Sequence, residues 1–297
     1  MKQTILVAGG TGKVGEKIVK ALIKRGANVR AIVRSGSASE KKEKLSALGA
    51  EVVTADMTDT AALESACQGV SCVISALSGL RDVMVESQSQ LLDAAVAAGV
   101  PRFIPSDYSS DFTQLPEGEN RNVDLHKEFQ QYLDKSPIAA TSIMNGAFCD
   151  LILGPGAPLF DVKNNSVRYW GDKADWKIDF STTDDTADYT AAAALDSETP
   201  RILRIASFQI TPKELAAVGE EIKKQPFKLI DMGSMEDLSA SNKKARAANP
   251  EGETEILPAW QAMQYVHTML YVQNKTLDND RYPDVEWTSA KEALSKV

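Results

Sequence analysis

The stretch Met1–Gly15, MKQTILVAGGTGKVG, decides how the rest of the chain is read. Thr4 to Ala8 is a short apolar run rich in β-branched residues, the pattern of a strand buried on both faces. It leads straight into Gly9, Gly10, Thr11, Gly12, Lys13, Val14 and Gly15. A helical segment follows, with Ile18, Ala21, Leu22 and Ile23 on one stripe and Gly26 at its end. Glycines at a strand-to-helix turn let the backbone close tightly. The N–H groups and dipole of the helix start then attract a pyrophosphate. The spacing fits G-x-G-x-x-G through Gly10, Gly12 and Gly15, or G-x-x-G-x-x-G through Gly9, Gly12 and Gly15. In either form Gly9, Thr11, Gly12, Lys13, Val14 and Gly15 are candidate cofactor contacts.

A second strand, Asn28 to Val33, ends at Arg34, about 20 residues past the glycines, where NAD-selective sites carry an acidic residue for the ribose 2′-hydroxyl. An arginine suits a 2′-phosphate instead, with Ser35, Ser37, Lys41 and Lys42 as nearby donors, and points to NADPH/NADP⁺. A solvated loop arginine is the alternative. Ser39 is placed as the cap of a short helix carrying Leu45 and Leu48, and Glu51 to Ala55 reads as the third strand. Asp56 and Met57 close that strand beside the expected adenine position, with a helix-start role open for Asp56 or Asp59.

A helix near Ala61 to Cys67 precedes the fourth strand, Ser71 to Ser75. Its small end, Ser75 and Ala76, admits a cofactor closely. A long helix, Val83 to Ala98, a fifth strand, Arg102 to Pro105, and a polar loop, Ser106 to Asn122, follow. In the next helix Leu125, Phe129, Tyr132 and Leu133 share a face that leaves Lys127 off the ridge. The sixth strand is read over Ile138 to Met144, ending at Asn145-Gly146-Ala147-Phe148. Ser106, Asn145 and Phe148, with the ends of strands four to six, are assigned to the nicotinamide. The repeated βα pattern predicts an α/β doubly wound parallel sheet, a Rossmann fold, over residues 1–150.

From 151 to 297 the pattern loosens, starting with turns at Gly154-Pro155-Gly156-Ala157-Pro158, and a smaller C-terminal substrate lobe of α+β type, interleaved with the first domain, is expected. Strands are predicted at Ser166 to Tyr169, Ile178 to Phe180 and Ile202 to Ile205. Helices are predicted at Thr186 to Leu195, Thr211 to Lys223, Met235 to Ala247 and Leu257 to Tyr271. Phe148, Trp170, Trp176 and Phe180 are pocket candidates, each with plain core as the alternative.

The 297 residues carry a net charge of −8, which supplies no basic field for nucleic acid or an anionic membrane. Three isolated cysteines, Cys67, Cys72 and Cys149, suit buried thiols in a reducing, cytoplasmic setting. No signal peptide or membrane span is expected, and no metal, since no cluster has ligand spacing. The partner expected is a small-molecule substrate, with monomer and homodimer both open.

Three stretches together resemble the NmrA-like family and its isoflavone-reductase-like branch, among the atypical short-chain dehydrogenases. They are Val7 to Gly15, Arg102-Phe103-Ile104-Pro105-Ser106-Asp107-Tyr108, and Lys127 followed by Ile138 to Thr141 and Asn145 to Phe148. Phe180 to Ala187 and Ser197-Glu198-Thr199-Pro200 are similar to the family's later sequence. The resemblance implies an NADPH-dependent reductase in which Lys127 is the catalytic group, the general acid for a carbonyl, quinone or conjugated enone. Such an ammonium can supply the proton or positive charge that hydride delivery demands. The family also contains redox-sensing regulators that bind the cofactor without turning it over. Asp107-Tyr108 and the Ser109 to Asn122 loop depart from the plant enzymes' acidic-aromatic-glycine sequence. Tyr169/Lys173 and Tyr271/Lys275 match Tyr-x-x-x-Lys away from the strand where that motif belongs.

Overall fold

The computed structural model describes residues 2–149, 153 and 157–296. The turns expected at Gly154-Pro155-Gly156 lie outside the described residues. The chain divides into two compact units: Met1–Tyr108 with Leu125–Ile143 and Thr186–Leu203, and Ser109–Asp124 with Met144–Asp185 and Arg204–Val297.

The first unit is a doubly wound sheet. Its strands are β1 (Thr4–Ala8), β2 (Asn28–Val33), β3 (Glu51–Thr54), β4 (Cys72–Ser75), β5 (Arg102–Ile104) and β6 (Ala139–Ala140). They lie in the order β3-β2-β1-β4-β5-β6, every pair parallel. β1, and β4 and β5 apart from the buried Ser75 and Arg102, are apolar along their buried length because parallel strands are covered on both faces. The crossovers carry α1 (Lys13–Lys24), α2 (Ser39–Ala47), α3 (Thr60–Cys67), α4 (Gln88–Ala97) and α5 (Arg121–Leu133). Leu6, Ile32, Leu63, Val73, Leu91, Phe103, Phe129 and Leu133 form one core beneath them.

Several local expectations change. Ser39 is the first residue of α2, and Ala38 precedes it with no side-chain cap. Asp59, not Asp56, caps α3, accepting from Ala62 N–H at 3.0 Å. The long fourth helix opens with a wide π turn, Asp82–Ser87, where the Gln88 N–H reaches Val83 and its side-chain amide donates to Met84 at 2.9 Å. Val123 takes the buried place on α5 given to Tyr132, which is exposed and donates to Asp93 at 2.9 Å. The sixth strand breaks: Ala139–Ala140 stays in the sheet, while Ser142–Met144 pairs with Ile202–Arg204. The break falls where Thr141 bonds Thr199 at 2.7 Å and Ser142 donates to Asp107 at 2.6 Å.

The second unit has two three-stranded sheets, Lys228–Asp231, Ser166–Tyr169, Phe160–Asp161 and Phe208–Ile210, Ile178–Ser181, Ala147–Phe148. Its helices include Pro212–Lys223, Met235–Ala248, Ala259–Tyr271 and Ala290–Leu294. Thr211 and Ser234 start two of them with reciprocal capping boxes. Trp170 and Phe180 are core, and Trp176 packs on it with its indole N–H donating to Met269 at 3.2 Å. Among the described residues no helix is long and apolar enough to cross a membrane.

Candidate functional site

The turn between β1 and α1 selects between the two glycine readings. Gly9 has φ +79°, and a Cβ there would stand 2.4 Å from the Ala76 carbonyl oxygen. A Cβ on Gly15 would stand 2.2 Å from the Gly9 carbonyl oxygen, which also accepts the Gly12 N–H at 2.9 Å. Gly10 meets only side chains, the nearest at an ordinary 3.4 Å. The G-x-x-G-x-x-G reading through Gly9, Gly12 and Gly15 therefore matches the packing. Helix α1 starts at Gly12 without a side-chain cap, and Glu16 is the residue whose N–H returns to Gly12. A backbone start stripped of Cβ atoms fits a pyrophosphate approaching the helix N-terminus. Thr11 and Val14 are half-buried at this turn, and Lys13 is exposed.

Arg34 lies exposed one residue past β2. Hydrogen bonds from the Thr58 N–H (2.9 Å) and hydroxyl (2.8 Å), with a smaller contribution from Arg34, hold the Asp56 carboxyl below its ordinary value. Asp56 and Arg34 are thus near neighbours at the ends of β2 and β3. Met57 packs against the sheet core. At the end of β4, Ser75 is fully buried with its hydroxyl unpartnered, and Ala76 faces Gly9. A buried hydroxyl without a partner costs free energy that a ligand's donor or acceptor recovers. Ser106 is engaged differently: its hydroxyl donates to Leu77 at 2.7 Å and its N–H to Gln88 at 2.8 Å. It ties the ends of β4 and β5 together.

Lys127 sits in α5 between two anchored residues. His126 Nδ1 lies 3.4 Å from Asp107 Oδ1, just past β5, and Glu128 is paired with Arg81, beyond β4, at 2.6 Å. This stretch of α5 is therefore fixed at the carboxyl ends of β4 and β5, the side on which doubly wound sheets bind ligands. The fully buried Asp107 accepts from Ser142, whose hydroxyl accepts from Arg201 at 2.6 Å. The phenol of Tyr108, buried against Thr190, is pushed well above its ordinary range by desolvation. Arg102 is buried and donates to the carbonyls of Ala193 and Asp196 and to Thr199, so the two family-like stretches 102–108 and 197–200 meet.

In the second unit Asn145 is fully buried with neither atom of its side-chain amide partnered, and Gly146 (φ +66°) presses against the Asp179 backbone. Phe148 is half-buried on its short strand. A cavity of about 380 Å³ in this unit has Glu119, Met235, Ser239, Lys243, His267 and Tyr271 in its wall. Glu119 joins Lys243 at 2.5 Å, Ser239 at 2.7 Å and His267 at 3.7 Å. Asp107 stood out only as part of the family-like stretch, with no role attached, and neither Gln88 nor this cluster was marked: an acid past a strand reads as loop, and a glutamine within a helix as surface.

The NmrA-like family model matches residues 1–229. Pinoresinol reductase 1 of Arabidopsis thaliana is 30% identical over 212 residues, 67% of this chain and 66% of that protein. The bifunctional pinoresinol-lariciresinol reductase of Linum perenne is 27% identical over 309 residues, 98% of each. The solved structure of an NADPH-dependent quinone oxidoreductase from Escherichia coli, complexed with NADPH, superposes with a TM-score of 0.70 at 26% identity, covering 98% of this chain and 99% of that one.

Proposed function

Because the chain belongs to the NmrA-like family, we propose that it is an NADPH-dependent reductase acting on a small, largely apolar carbonyl, quinone or conjugated enone, with Lys127 as general acid. The observation that carries this reading is the anchoring of Lys127 at the carboxyl ends of β4 and β5 by its neighbours His126 and Glu128. Gly9, Thr11, Gly12, Lys13, Val14 and Gly15 would hold the pyrophosphate at the start of α1. Arg34 would hold the 2′-phosphate, with Asp56 and Met57 beside the adenine. Ser75, Ala76 and Ser106 would contact the nicotinamide half.

When bound, the cofactor supplies a hydride. The electron pair arriving at the acceptor leaves negative charge on an oxygen or on the carbon conjugated to it, and the Lys127 ammonium neutralises that charge by charge contact or by giving up a proton. The lysine regains its proton from solvent after product leaves.

The test is NADPH oxidation with quinones, enones, aromatic aldehydes and pinoresinol, comparing the native protein with Lys127→Ala after both are shown to bind NADPH equally. We expect turnover with at least one acceptor and a loss in kcat on the order of a hundredfold for the variant. Tight NADPH binding with no oxidation of any acceptor would remove the reductase reading and favour a cofactor-sensing role.

A further inference from the structure

We infer that Asp107 is a positioning residue for Lys127, acting through His126; the inference rests on the reductase reading above. Asp107 is completely buried at the end of β5. A buried carboxylate is costly unless both oxygens face donors or positive charge. Oδ2 accepts from Ser142 at 2.6 Å, and the Ser142 hydroxyl is itself held by Arg201, which pairs with Asp134 at 2.8 Å. That arm is complete, with serine both donating and accepting. Oδ1 is turned the other way, without a hydrogen bond of its own and 3.4 Å from His126 Nδ1, a contact longer than an aligned hydrogen bond and ionic only while the imidazole is protonated.

His126 precedes Lys127 on α5, and its ring is mostly buried. The carboxylate therefore grips the helical turn that carries the lysine. It is gripped from the opposite side too, since Glu128 is paired with Arg81, and Arg81 with Glu86 at 2.5 Å. The two anchors differ. The Arg81 pair is exposed and worth little, because solvent screens it. The Asp107 anchor is dry, so its field and its geometry both persist. A helix turn held this way keeps the Lys127 backbone in one place while the side chain remains long enough to follow the reacting atom. The sequence separation of Asp107 and His126 hides this pairing, because the Ser109 to Asn122 loop lies between them.

The experiment is a double-mutant cycle on kcat, using whichever acceptor gives turnover: native protein, Asp107→Asn, Lys127→Ala and the double variant. Asp107→Asn should lower kcat roughly tenfold, in the range over which contacting residues couple, with KM and NADPH affinity unchanged. In the Lys127→Ala background the same substitution should cost nothing further, whereas a merely structural role would lower activity equally in both backgrounds. A readout independent of turnover comes from the imidazole resonances. The chain has two histidines, and Asp107→Asn should shift the signals of His126 and leave those of His267 in place. Should Asp107→Asn fail to fold, His126→Phe, which replaces the imidazole by an aromatic ring without nitrogens, takes its place in the cycle.

Equal losses in both backgrounds would overturn the inference, as would an Asp107→Asn variant (or its His126→Phe substitute) with native kcat. Turnover that Lys127→Ala leaves untouched would instead overturn the general-acid assignment, and absence of any turnover would overturn the reductase reading on which both rest.

Discussion

At the glycine turn of the first unit the fit is set by backbone atoms, a Cβ on Gly15 falling 2.2 Å from the Gly9 carbonyl oxygen. In the second unit the Glu119 cluster is set by side-chain charge, with Lys243, Ser239 and His267 converging on one carboxylate. The first arrangement tolerates one residue type at its tightest points and is written in seven consecutive positions, Gly9 to Gly15. The second joins residues more than a hundred positions apart, each ordinary in its own stretch. Backbone sterics therefore predict a site that fails abruptly on adding a methyl group, and side-chain charge predicts one that weakens by degrees.

The largest effect should come from Gly15→Ala. The new methyl group cannot coexist with the Gly9 carbonyl, so the turn must open, costing about 3 kcal/mol as overpacking of a closed backbone does and abolishing NADPH binding. Gly10→Ala, whose methyl would sit 3.4 Å from the Ala31 side chain, should change stability by less than about 0.5 kcal/mol and retain the cofactor. Thermal melts and NADPH fluorescence titrations of both variants check this. Equal behaviour of the pair would mean that the turn is not held by backbone contact.

Arg121→Ala tests the other side of the comparison. The Arg121 guanidinium is buried, donates to the carbonyls of Gly252, Glu253, Glu255 and Ile256, and lies 4.8 Å above the Trp260 ring, which Arg246 also faces. Removing it takes the donor from four carbonyls, that of the buried Gly252 among them, and we expect a loss of about 2 kcal/mol with no change in NADPH affinity. A denaturant melt unchanged by the substitution would show that water replaces the clamp freely.

These two cases explain what could be read from the chain alone. β1, the glycine turn and the alternation of strands and helices through β5 were legible because each is local: strand burial, Cβ exclusion and helix periodicity act over fewer than a dozen residues. The helices from Pro212 to Tyr271 were legible for the same reason, and the capping signals at Thr211 and Ser234 mark two of their starts. What escaped depends on partners distant in sequence. The sixth strand breaks at Thr141 and Ser142 because Thr199 and Asp107 claim their hydroxyls. Ala147–Phe148 and Phe160–Asp161 are strands of two residues whose pairing alone defines them. Tyr132 leaves the buried ridge for Asp93. Of the proposed site, the glycines are marked by their spacing and Lys127 only through the family resemblance, while the burial of Asp107 against His126 is not legible, since nothing in an isolated aspartate tells burial from a loop.

A smaller effect separates Arg34 from the glycines. It is exposed, so its contact with a 2′-phosphate would form in screened surroundings. Arg34→Ala should weaken NADPH roughly tenfold, leave NADH unchanged and leave stability within about 0.5 kcal/mol. Parallel titrations with the two cofactors decide it, and an equal loss for both would move the 2′-phosphate elsewhere.

The smallest effect is the dependence on acid, which the charged cluster should show and the glycine turn should not. Burial lowers the His267 pKa below the usual 6.5, and Glu119, 3.7 Å away, offsets that only in part. Its neutral ring is thus the form the fold prefers, and protonation favours the unfolded chain. The stability this contributes is complete above pH 6.5 and is lost as the pH falls from there through the lowered folded value. For Glu119, burial raises the carboxyl, but the hydrogen bonds from Lys243 and Ser239 outweigh it and hold the carboxyl below its usual 4.5. Its contribution is complete above pH 4.5 and is lost on further acidification. Acid melts should therefore decline in two stages, the first beginning near pH 6.5 and disappearing in His267→Gln, while the steric exclusion at Gly15 has no group to titrate in that interval. A His267→Gln variant that loses stability between pH 6.5 and 5 as steeply as the native protein would show that the first stage arises outside the cluster.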